Sequence, residues 1–215
     1  MGINIRPYQA ADRISVFQIA GDTAFFGKPV EEFMEDRLLY CDAFYRFYTD
    51  LEPEHGWVAC SSDKVVGFLM GCTDTASRGK RWATRILPSV IWNLLKGRYR
   101  IGILTMQYVS GLTRANLRQE VAHADLTAFP AHLHVNVNAD WQGQGMGRQL
   151  IEAFLLQLKS ADIVGVHLLT TSLNIRACRL YEKLGFELLD TRRTHLWEAL
   201  SGQAIENRCY GLRLD

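Results

Sequence analysis

The chain has 215 residues, of which 48% are hydrophobic and 22% are charged, so it can bury one sizeable core without disulfides. This composition excludes a disordered or collagen-like chain, and no stretch approaches the ~18 uninterrupted apolar residues that a membrane span requires. The net charge of +1 conceals an uneven distribution, because residues 75–119 contain nine Lys/Arg and no Asp/Glu, whereas residues 1–74 contain six Lys/Arg and twelve Asp/Glu.

Two features of the sequence indicate a cytoplasmic protein. Charged residues at positions 6 and 12 interrupt the N-terminal segment too early for the apolar core of a secretory signal peptide. The cysteines are odd in number and lack CxxC spacing, which favours reduced thiols over a disulfide framework or a zinc site. They are Cys41, Cys60, Cys72, Cys178 and Cys209.

The first part of the chain predicts the element order β-α-α-β-β. After a short strand, a helix is predicted over 12–20. Apolar residues that recur at three- and four-residue steps predict a second helix over 30–48. Two β-rich runs, 57–60 and 65–70, flank a polar turn and predict a β-hairpin.

Residues 75–130 interrupt this pattern, and their composition predicts a basic, helical insertion. Beyond Pro130 strands and helices become clear again. The predicted strands lie over 131–138, 164–170, 187–198 and 204–213, and the predicted helices over 147–160 and 174–184.

A glycine-rich turn connects the strand over 131–138 to the helix over 147–160. Such a turn presents unpaired backbone N–H groups at the positive end of a helix dipole, which suits a phosphate or pyrophosphate. No Lys-Ser/Thr pair follows the glycines, as a Walker loop requires, and their GxGxG spacing differs from the GxGxxG of a dinucleotide fingerprint. The two commoner nucleotide loops are therefore disfavoured.

The turn matches the signature Q/R-x-x-G-x-G/A of the GNAT superfamily, the Gcn5-related N-acetyltransferases, at Gln142, Gly145 and Gly147. Further along, residues 174–186 match the N-x-x-A-x-x-x-Y-x-x-x-G-F helix and turn of the same family. The chain therefore resembles a GNAT protein. The resemblance implies an α/β fold with a mixed six- to seven-stranded sheet, splayed between its fourth and fifth strands and flanked by helices. It also implies one acetyltransferase domain over 1–215, with the basic insertion at about 75–130.

The same resemblance implies acetyl-CoA as co-substrate and no metal. In the family, the fourth strand pairs with the pantetheine arm, the glycine turn holds the pyrophosphate and the motif asparagine contacts pantetheine. One strand N–H, assigned by the resemblance to Val137, would polarise the acetyl carbonyl. The implied cofactor-binding residues are Val135, Asn136, Val137, Gln142, Gly143, Gln144, Gly145, Met146, Gly147, Arg148, Asn174 and Tyr181.

Tyr181 is the first catalytic candidate. It lies seven residues after Asn174, about two helical turns, so both side chains project from one helix face. In the family the equivalent tyrosine stands beside the thioester sulfur, where it can protonate the departing thiolate. The alternative is that Tyr181 is an ordinary core aromatic residue.

The general base departs from the family pattern. Many relatives carry a Glu on the fifth strand, five residues before the motif asparagine, and this chain has Leu169 there. On the fourth strand His132 and His134 share one face with Asn136 and Asn138, and a histidine can deprotonate an ammonium group directly or through water. His134, nearer the expected splay, is the first choice. Alternatively, these side chains only position the substrate. A metal site formed by His132 and His134 is disfavoured, because no third ligand lies at a suitable spacing.

These observations predict an N-acetyltransferase that transfers acetyl from the CoA thioester to a primary amine by direct attack. The acceptor would be a small-molecule amine, an amino sugar or a protein lysine. The alternative, suggested by the missing glutamate, is an inactive acetyl-CoA-binding module for partner recognition. Within the superfamily, the run over 129–147 resembles bacterial proteins similar to the acetyltransferase-like C-terminal domain of O-GlcNAc hydrolases.

The basic block suggests a third hypothesis. Together with Trp82, Trp92 and Tyr99, its cations are a pattern found in nucleic-acid or anionic-surface binding. The block can instead be a solvated helical lid, or a recognition surface for an acidic acceptor or for the 3′-phosphate of CoA. We expect no nucleic-acid or membrane partner, and a homodimer is left open.

Overall fold

The computed structural model describes residues 2–214, apart from the side chain of Ala199; Met1 and Asp215, the ends of the predicted domain, lie outside the described residues. The strands are β1 (Ile3–Pro7), β2 (Gly56–Ser61), β3 (Lys64–Cys72), β4 (Ala131–Val137), β5 (Gly165–Thr171), β6 (Glu187–Thr194) and β7 (Ile205–Arg213). The helices are α1 (Arg13–Asp22), α2 (Arg37–Phe44), α3 (Arg46–Leu51), α4 (Thr75–Arg85), α5 (Leu87–Leu95), α6 (Ile103–Leu117), α7 (Met146–Ser160), α8 (Ile175–Lys183) and α9 (Glu198–Ser201). None of the helices in this range combines the length and the hydropathy needed to cross a membrane.

Seven strands form one sheet in the order β1-β2-β3-β4-β5-β7-β6, antiparallel except for the pair β4 and β5. Alternate side chains of the central strands are buried on opposite faces. One face packs mainly on α1, α2 and α3, and the other on α7 and α8. This arrangement confirms the predicted mixed α/β class, with helices flanking a seven-stranded sheet.

Strands β4 and β5 separate soon after they start. Their paired residues are Ala131 with Val166 and His132 with His167, whereas β4 pairs with β3 from His132 through Val137 without a bulge. A gap therefore opens between β4 and β5 along the second half of β4. The predicted splay between the fourth and fifth strands is confirmed.

The predicted single helix over 30–48 is wrong. One 3-10 turn is followed by two separate helices, α2 and α3. Asp36 accepts a hydrogen bond from the N–H of Leu39 at 2.8 Å and so begins α2 as an N-cap, while the carboxylate of Glu35 accepts the N–H of Leu104 at 2.7 Å, at the start of α6. The periodicity identified the buried face, but it did not reveal that these two carboxylates bond to backbone N–H groups.

The other predicted elements are present, with differences at their boundaries. In the hairpin, Ser62 and Asp63 have φ values of 45° and 67°, as expected of a two-residue turn with both central residues left-handed. The strand predicted over 187–198 ends at Thr194, because the chain then forms the short helix α9 before β7.

The basic insertion contains α4, α5 and α6, while residues 118–130 contain neither helix nor strand. Carboxylates from the acidic first part of the chain bond to the insertion: Glu35, Asp36, Asp42 and Glu52. Their partners are N–H groups at the start of α6, the N–H of Arg100, the hydroxyl of Tyr99 and the guanidinium of Arg81. The uneven charge along the sequence is thus partly balanced by contacts across the fold.

Candidate active site

The glycine turn presents a row of free backbone N–H groups. Gly143 and Gly145 have φ values of 80° and 82°, a left-handed conformation that favours glycine. The first N–H of this segment that bonds to a carbonyl is that of Gln149, to Gly145 O, so within the described chain the N–H groups of residues 143–148 have no backbone acceptor. They lie at the positive end of the 15-residue helix α7, an arrangement that suits an anion.

Both sequence motifs meet beside the end of β4. At Gly147, on the first turn of α7, a Cβ atom would lie 3.5 Å from Leu180 Cδ2 on α8 and 4.0 Å from Val137 Cγ2 on β4. Gln142 also donates from Nε2 to Val137 O at 3.2 Å. The glycine turn, α8 and the end of β4 therefore form one side of the gap.

The gap-facing backbone groups of β4 follow from its pairing with β3. The N–H of Asn138 donates to Val66 O on β3 at 2.9 Å, and successive N–H groups of a strand point in opposite directions. The N–H groups of Val135 and Val137 consequently point away from β3, toward the gap. These are the groups that a polar chain inserted between β4 and β5 would meet.

Tyr181 lies on α8 and is buried. Its ring centroid is 6.0 Å from that of Phe186 and 5.9 Å from that of Tyr210. Its hydroxyl has no hydrogen-bond partner among residues 2–214, and burial raises the pKa of the phenol, so the group is protonated at neutral pH. It is a proton donor without an acceptor inside the described protein.

Other predicted cofactor residues differ in what they can offer. The side chain of Met146 is buried in the core, so only its main chain is accessible to a ligand. Arg148 forms an ion pair with Glu152 at 2.7 Å. Gln144 and Asn174 are exposed, and neither side chain forms a hydrogen bond within the described range.

A cavity of about 490 Å³ lies on the opposite face of the sheet, between the gap and helices α2, α3 and α4. It is lined by aromatic and polar side chains, including Tyr45, Tyr48, Arg78, His132, His134 and His167. Leu169, which stands where many relatives carry a glutamate, also lines the cavity. The described lining residues include no Asp or Glu. The predicted histidines and the gap therefore share one cavity that lacks an acidic base.

Hydrogen bonds join the two histidines through Tyr48. Thr75 Oγ1 donates to Pro130 O at 2.6 Å, so its other contact, 2.7 Å from His132 Nδ1, must be donated by the histidine. His132 Nε2 is then an acceptor for the Tyr48 hydroxyl at 2.7 Å, which in turn accepts from His134 Nε2 at 2.9 Å. The chain of donors runs from His134 to Tyr48, His132, Thr75 and Pro130 O, and leaves His134 Nδ1 as an acceptor with no described partner.

Both imidazoles are neutral at pH 7. Burial, followed by the neighbouring His134 ring and the charge of Arg78, lowers the pKa of His132. His134 is exposed toward the cavity, but the protein surrounding it, together with Arg78 and His167, lowers its pKa as well. Two neutral rings bridged by a hydroxyl can pass a proton from one to the other, and the ring that receives the proton becomes positively charged.

Tyr48 was not identified from the sequence as a functional residue, because it was counted with the apolar face of a helix. A signal was nevertheless present: Tyr40, Tyr45 and Tyr48 all lie on that face, and a buried tyrosine hydroxyl requires a polar partner. Asn136 shows the same connection, since its side chain accepts from Tyr45 Oη at 3.3 Å and donates to Thr23 Oγ1 at 2.7 Å. Its side chain thus lies on the same face of the sheet as the histidines, between Tyr45 and Thr23, and is not available to a cofactor in the gap.

The structure also bears on two further hypotheses. Across the described residues there is no group of three or more His, Cys, Asp or Glu side chains arranged to hold a metal ion. Of the four aromatic residues in the basic block, Tyr99 is buried, Tyr108 packs against the core, and Trp82 packs inward with its Nε1 donating to Ala43 O at 3.0 Å. Trp92 is exposed beside Lys96. The block therefore offers no row of stacking rings for a nucleic acid.

Comparison with known proteins agrees with this geometry. A family model described as an acetyltransferase (GNAT) domain matches residues 107–188. A mycothiol acetyltransferase from Nocardiopsis dassonvillei is 47% identical over 57 residues, a segment that covers 26% of this chain and only 17% of that protein.

Solved structures extend the likeness to the whole chain. The protein SsHAT is 29% identical with a TM-score of 0.76, and 100% of each chain is covered. The protein yncA from Salmonella typhimurium, solved with its cofactor acetyl-CoA, is 13% identical with a TM-score of 0.59, covering 100% of this chain and 95% of that one, a likeness of fold alone. The segment 107–188 is therefore similar to an acetyltransferase (GNAT) domain, and the full-length likeness to SsHAT shows that the seven-stranded fold is shared with a solved protein.

Proposed function

We propose that this protein transfers an acetyl group from acetyl-CoA to a primary amine by direct attack of the amine on the thioester. The observation that carries the proposal is the gap between β4 and β5, with the free N–H groups of the glycine turn beside it and a polar cavity opposite. A donor entering from one face of the sheet and an acceptor from the other would meet in the gap. The whole chain is taken as one acetyltransferase domain with residues 75–130 as an insertion.

The residues of the turn and of β4 suit the CoA moiety. The free N–H groups of residues 143–148 can donate hydrogen bonds to the pyrophosphate, and the N–H of Val135 can donate to a pantetheine carbonyl. The exposed side chain of Asn174 lies at the start of α8, within the motif whose asparagine contacts pantetheine in the family. Acetyl-CoA is the donor used by the GNAT fold, and the groups present here fit it.

Chemistry in the gap needs three groups from the protein. As the amine nitrogen bonds to the acetyl carbon, negative charge develops on the carbonyl oxygen, and the N–H of Val137 can stabilise it. When the carbon–sulfur bond breaks, the thiolate needs a proton, and the protonated phenol of Tyr181 can supply it. No covalent bond to the enzyme forms.

The third group removes a proton from the acceptor amine. His134 Nδ1 is the free acceptor of the histidine chain, and the proton on His134 Nε2 can move to the Tyr48 oxygen while the Tyr48 proton moves to His132 Nε2. His132 then holds the proton as an imidazolium, and its lowered pKa favours release of that proton to solvent by the same route once the product leaves. His134 and His132 thus serve in place of the carboxylate that Leu169 cannot provide.

The alternative is an inactive acetyl-CoA-binding module, in line with the resemblance to the acetyltransferase-like domain of O-GlcNAc hydrolases. It was suggested by the absence of a fifth-strand glutamate. The connected pair of histidines in the cavity weakens that argument, because a second route for the proton is present. We therefore favour an active enzyme.

An acceptor screen that follows release of free CoA thiol tests this proposal, run with wild type and Tyr181→Phe. We expect Tyr181→Phe to lower kcat by about 100-fold while acetyl-CoA still stabilises the protein thermally as in wild type, because one proton donor is removed and the binding groups remain. Equal turnover in the variant would exclude Tyr181 as the acid. Acetyl-CoA binding without transfer or hydrolysis would support the inactive alternative, and no acetyl-CoA binding would refute both.

A further inference from the structure

The guanidinium of Arg78 stands in the acceptor cavity without a counter-charge. It lies over the rings of Phe47 and Tyr48, with Cζ 5.3 Å from each centroid. It forms no ion pair with any residue in the range 2–214, and its Nε is buried without a hydrogen-bond partner. A buried donor on a charged group is costly to leave unsatisfied, so such a group marks a place for an anion.

Arg78 differs in this respect from the next arginine of the same helix. Arg81, about one turn further along α4, is paired with the buried carboxylate of Glu52. Arg78 instead lines a cavity in which the described residues include no acidic side chain, and where the histidines are neutral. The cavity therefore carries a net positive charge, which an incoming molecule must balance.

From this geometry we infer that Arg78 binds a carboxylate of the acceptor, so that the acceptor is a small amino acid-like molecule carrying both a primary amine and a carboxylate. The inference rests on the proposed function and names the substrate class for that same site. Tyr48 sets the spacing, because Arg78 lies over its ring while His134 bonds to its hydroxyl. A carboxylate at Arg78 would place an amine a few bonds away near His134 and the gap.

The same charge argues against the other acceptor classes. A lysine within a basic peptide, or a polyamine, would bring positive charge to a cavity that has no carboxylate to receive it. An amino sugar without an acidic group would leave Arg78 unpaired. A cavity of about 490 Å³ is in the usual range for small-molecule sites.

Turnover with matched pairs of acceptors tests the inference. Each of the common amino acids is compared with its own α-carboxamide, in wild type, Arg78→Gln and Arg85→Gln. We expect wild type to favour at least one free acid over its amide by roughly 10- to 100-fold in kcat/KM, the worth of a charged hydrogen bond, and Arg78→Gln to reduce that ratio to near one. Arg85 is exposed on the same helix outside the cavity, so Arg85→Gln should leave the ratio unchanged.

A binding measurement makes the test independent of turnover. N-acetyl amino acids, which are the products this inference implies, and N-acetyl amino amides are compared for thermal stabilisation of wild type and Arg78→Gln in the presence of CoA. Stabilisation by the acids alone, lost in Arg78→Gln, supports the inference even if no acceptor turns over.

Three results would overturn it. They are equal stabilisation by acids and amides, preferred acetylation of a basic peptide or an uncharged amine, and loss of acetyl-CoA affinity in Arg78→Gln, which would assign the arginine to a CoA phosphate. If acetyl-CoA does not bind the wild-type protein, the proposed function is refuted. The preference for a carboxylate is measured independently, by comparing the thermal stabilisation that N-acetyl amino acids and N-acetyl amino amides produce.

Discussion

The two sides of β4 present different kinds of polar group. On the side of α7 and α8, the glycine turn and the strand offer mainly backbone N–H groups, placed by two short sequence segments. On the cavity side, the polar groups are side chains from α3, α4 and β4, connected by hydrogen bonds between residues far apart in sequence. Backbone groups suit a donor that never changes, whereas side chains can be exchanged to suit a particular acceptor.

The largest expected effect is a loss of kcat from a change on the cavity side that leaves acetyl-CoA binding on the other side intact. Tyr48→Phe removes the hydroxyl that joins His134 to His132, so we expect kcat to fall by about 100-fold, with acetyl-CoA affinity close to that of wild type. Steady-state kinetics with a responsive acceptor, beside a thermal shift with acetyl-CoA, measures both quantities.

Tyr45→Phe is the matched control, because it removes another cavity hydroxyl that bonds to Asn136 and not to a histidine. Its effect on kcat should be at least tenfold smaller. Similar losses in the two variants would show that the cavity hydroxyls position the substrate and that no proton passes through Tyr48.

The next prediction concerns the side built from backbone groups. Gly145→Ala places a Cβ at a φ of 82°, a conformation that costs roughly 1–2 kcal/mol for an L-residue and that the turn can relieve by rotating its N–H groups away from an anion. We expect acetyl-CoA to bind at least tenfold more weakly, as measured by titration calorimetry.

Gly202→Ala provides the control, since Gly202 has a φ of 74° with no neighbour within 4 Å and lies after α9, outside the glycine turn. It should lose about as much stability as Gly145→Ala while binding acetyl-CoA normally. Weaker binding in both variants would mean that general destabilisation, rather than the direction of the N–H groups, lowers the affinity.

The smallest expected effect is on stability and concerns the cavity side alone. The folded protein keeps His132 neutral, with its pKa below 6.5, whereas the unfolded chain binds a proton there. Stability is therefore unaffected above about pH 6.5 and decreases below it, by about 1 kcal/mol per such histidine between pH 6.5 and 5.5. Urea unfolding at the two pH values should show this loss, and His132→Gln should reduce it by about that amount. An unchanged pH dependence in the variant would contradict the lowered pKa of His132.

Much of the fold followed from local patterns. The hairpin, the strands around the glycine turn and the two GNAT motifs were all predicted from segments of fewer than about 20 residues, because turn residues and apolar alternation act over such distances. The facing of His132 and His134 on β4 was also predicted, since the register with β3 is regular and alternation is then strict. The helix over 30–48 was predicted wrongly, because the local N-cap from Asp36 to Leu39 was overlooked and the bond from Glu35 to the start of α6 spans 69 residues of chain.

The sequence by itself determined the mixed α/β class and the position of the glycine turn with its free backbone N–H groups, because glycine conformations are local properties. Only the tertiary structure decided which side chains of the cavity are bonded to one another and which is left without a partner. Tyr48 is 84 residues from His132, and Arg78 is left unpaired because the described fold brings a carboxylate to Arg81 and none to it. Contacts of this kind depend on how separate elements pack, and no pattern along the chain specifies them.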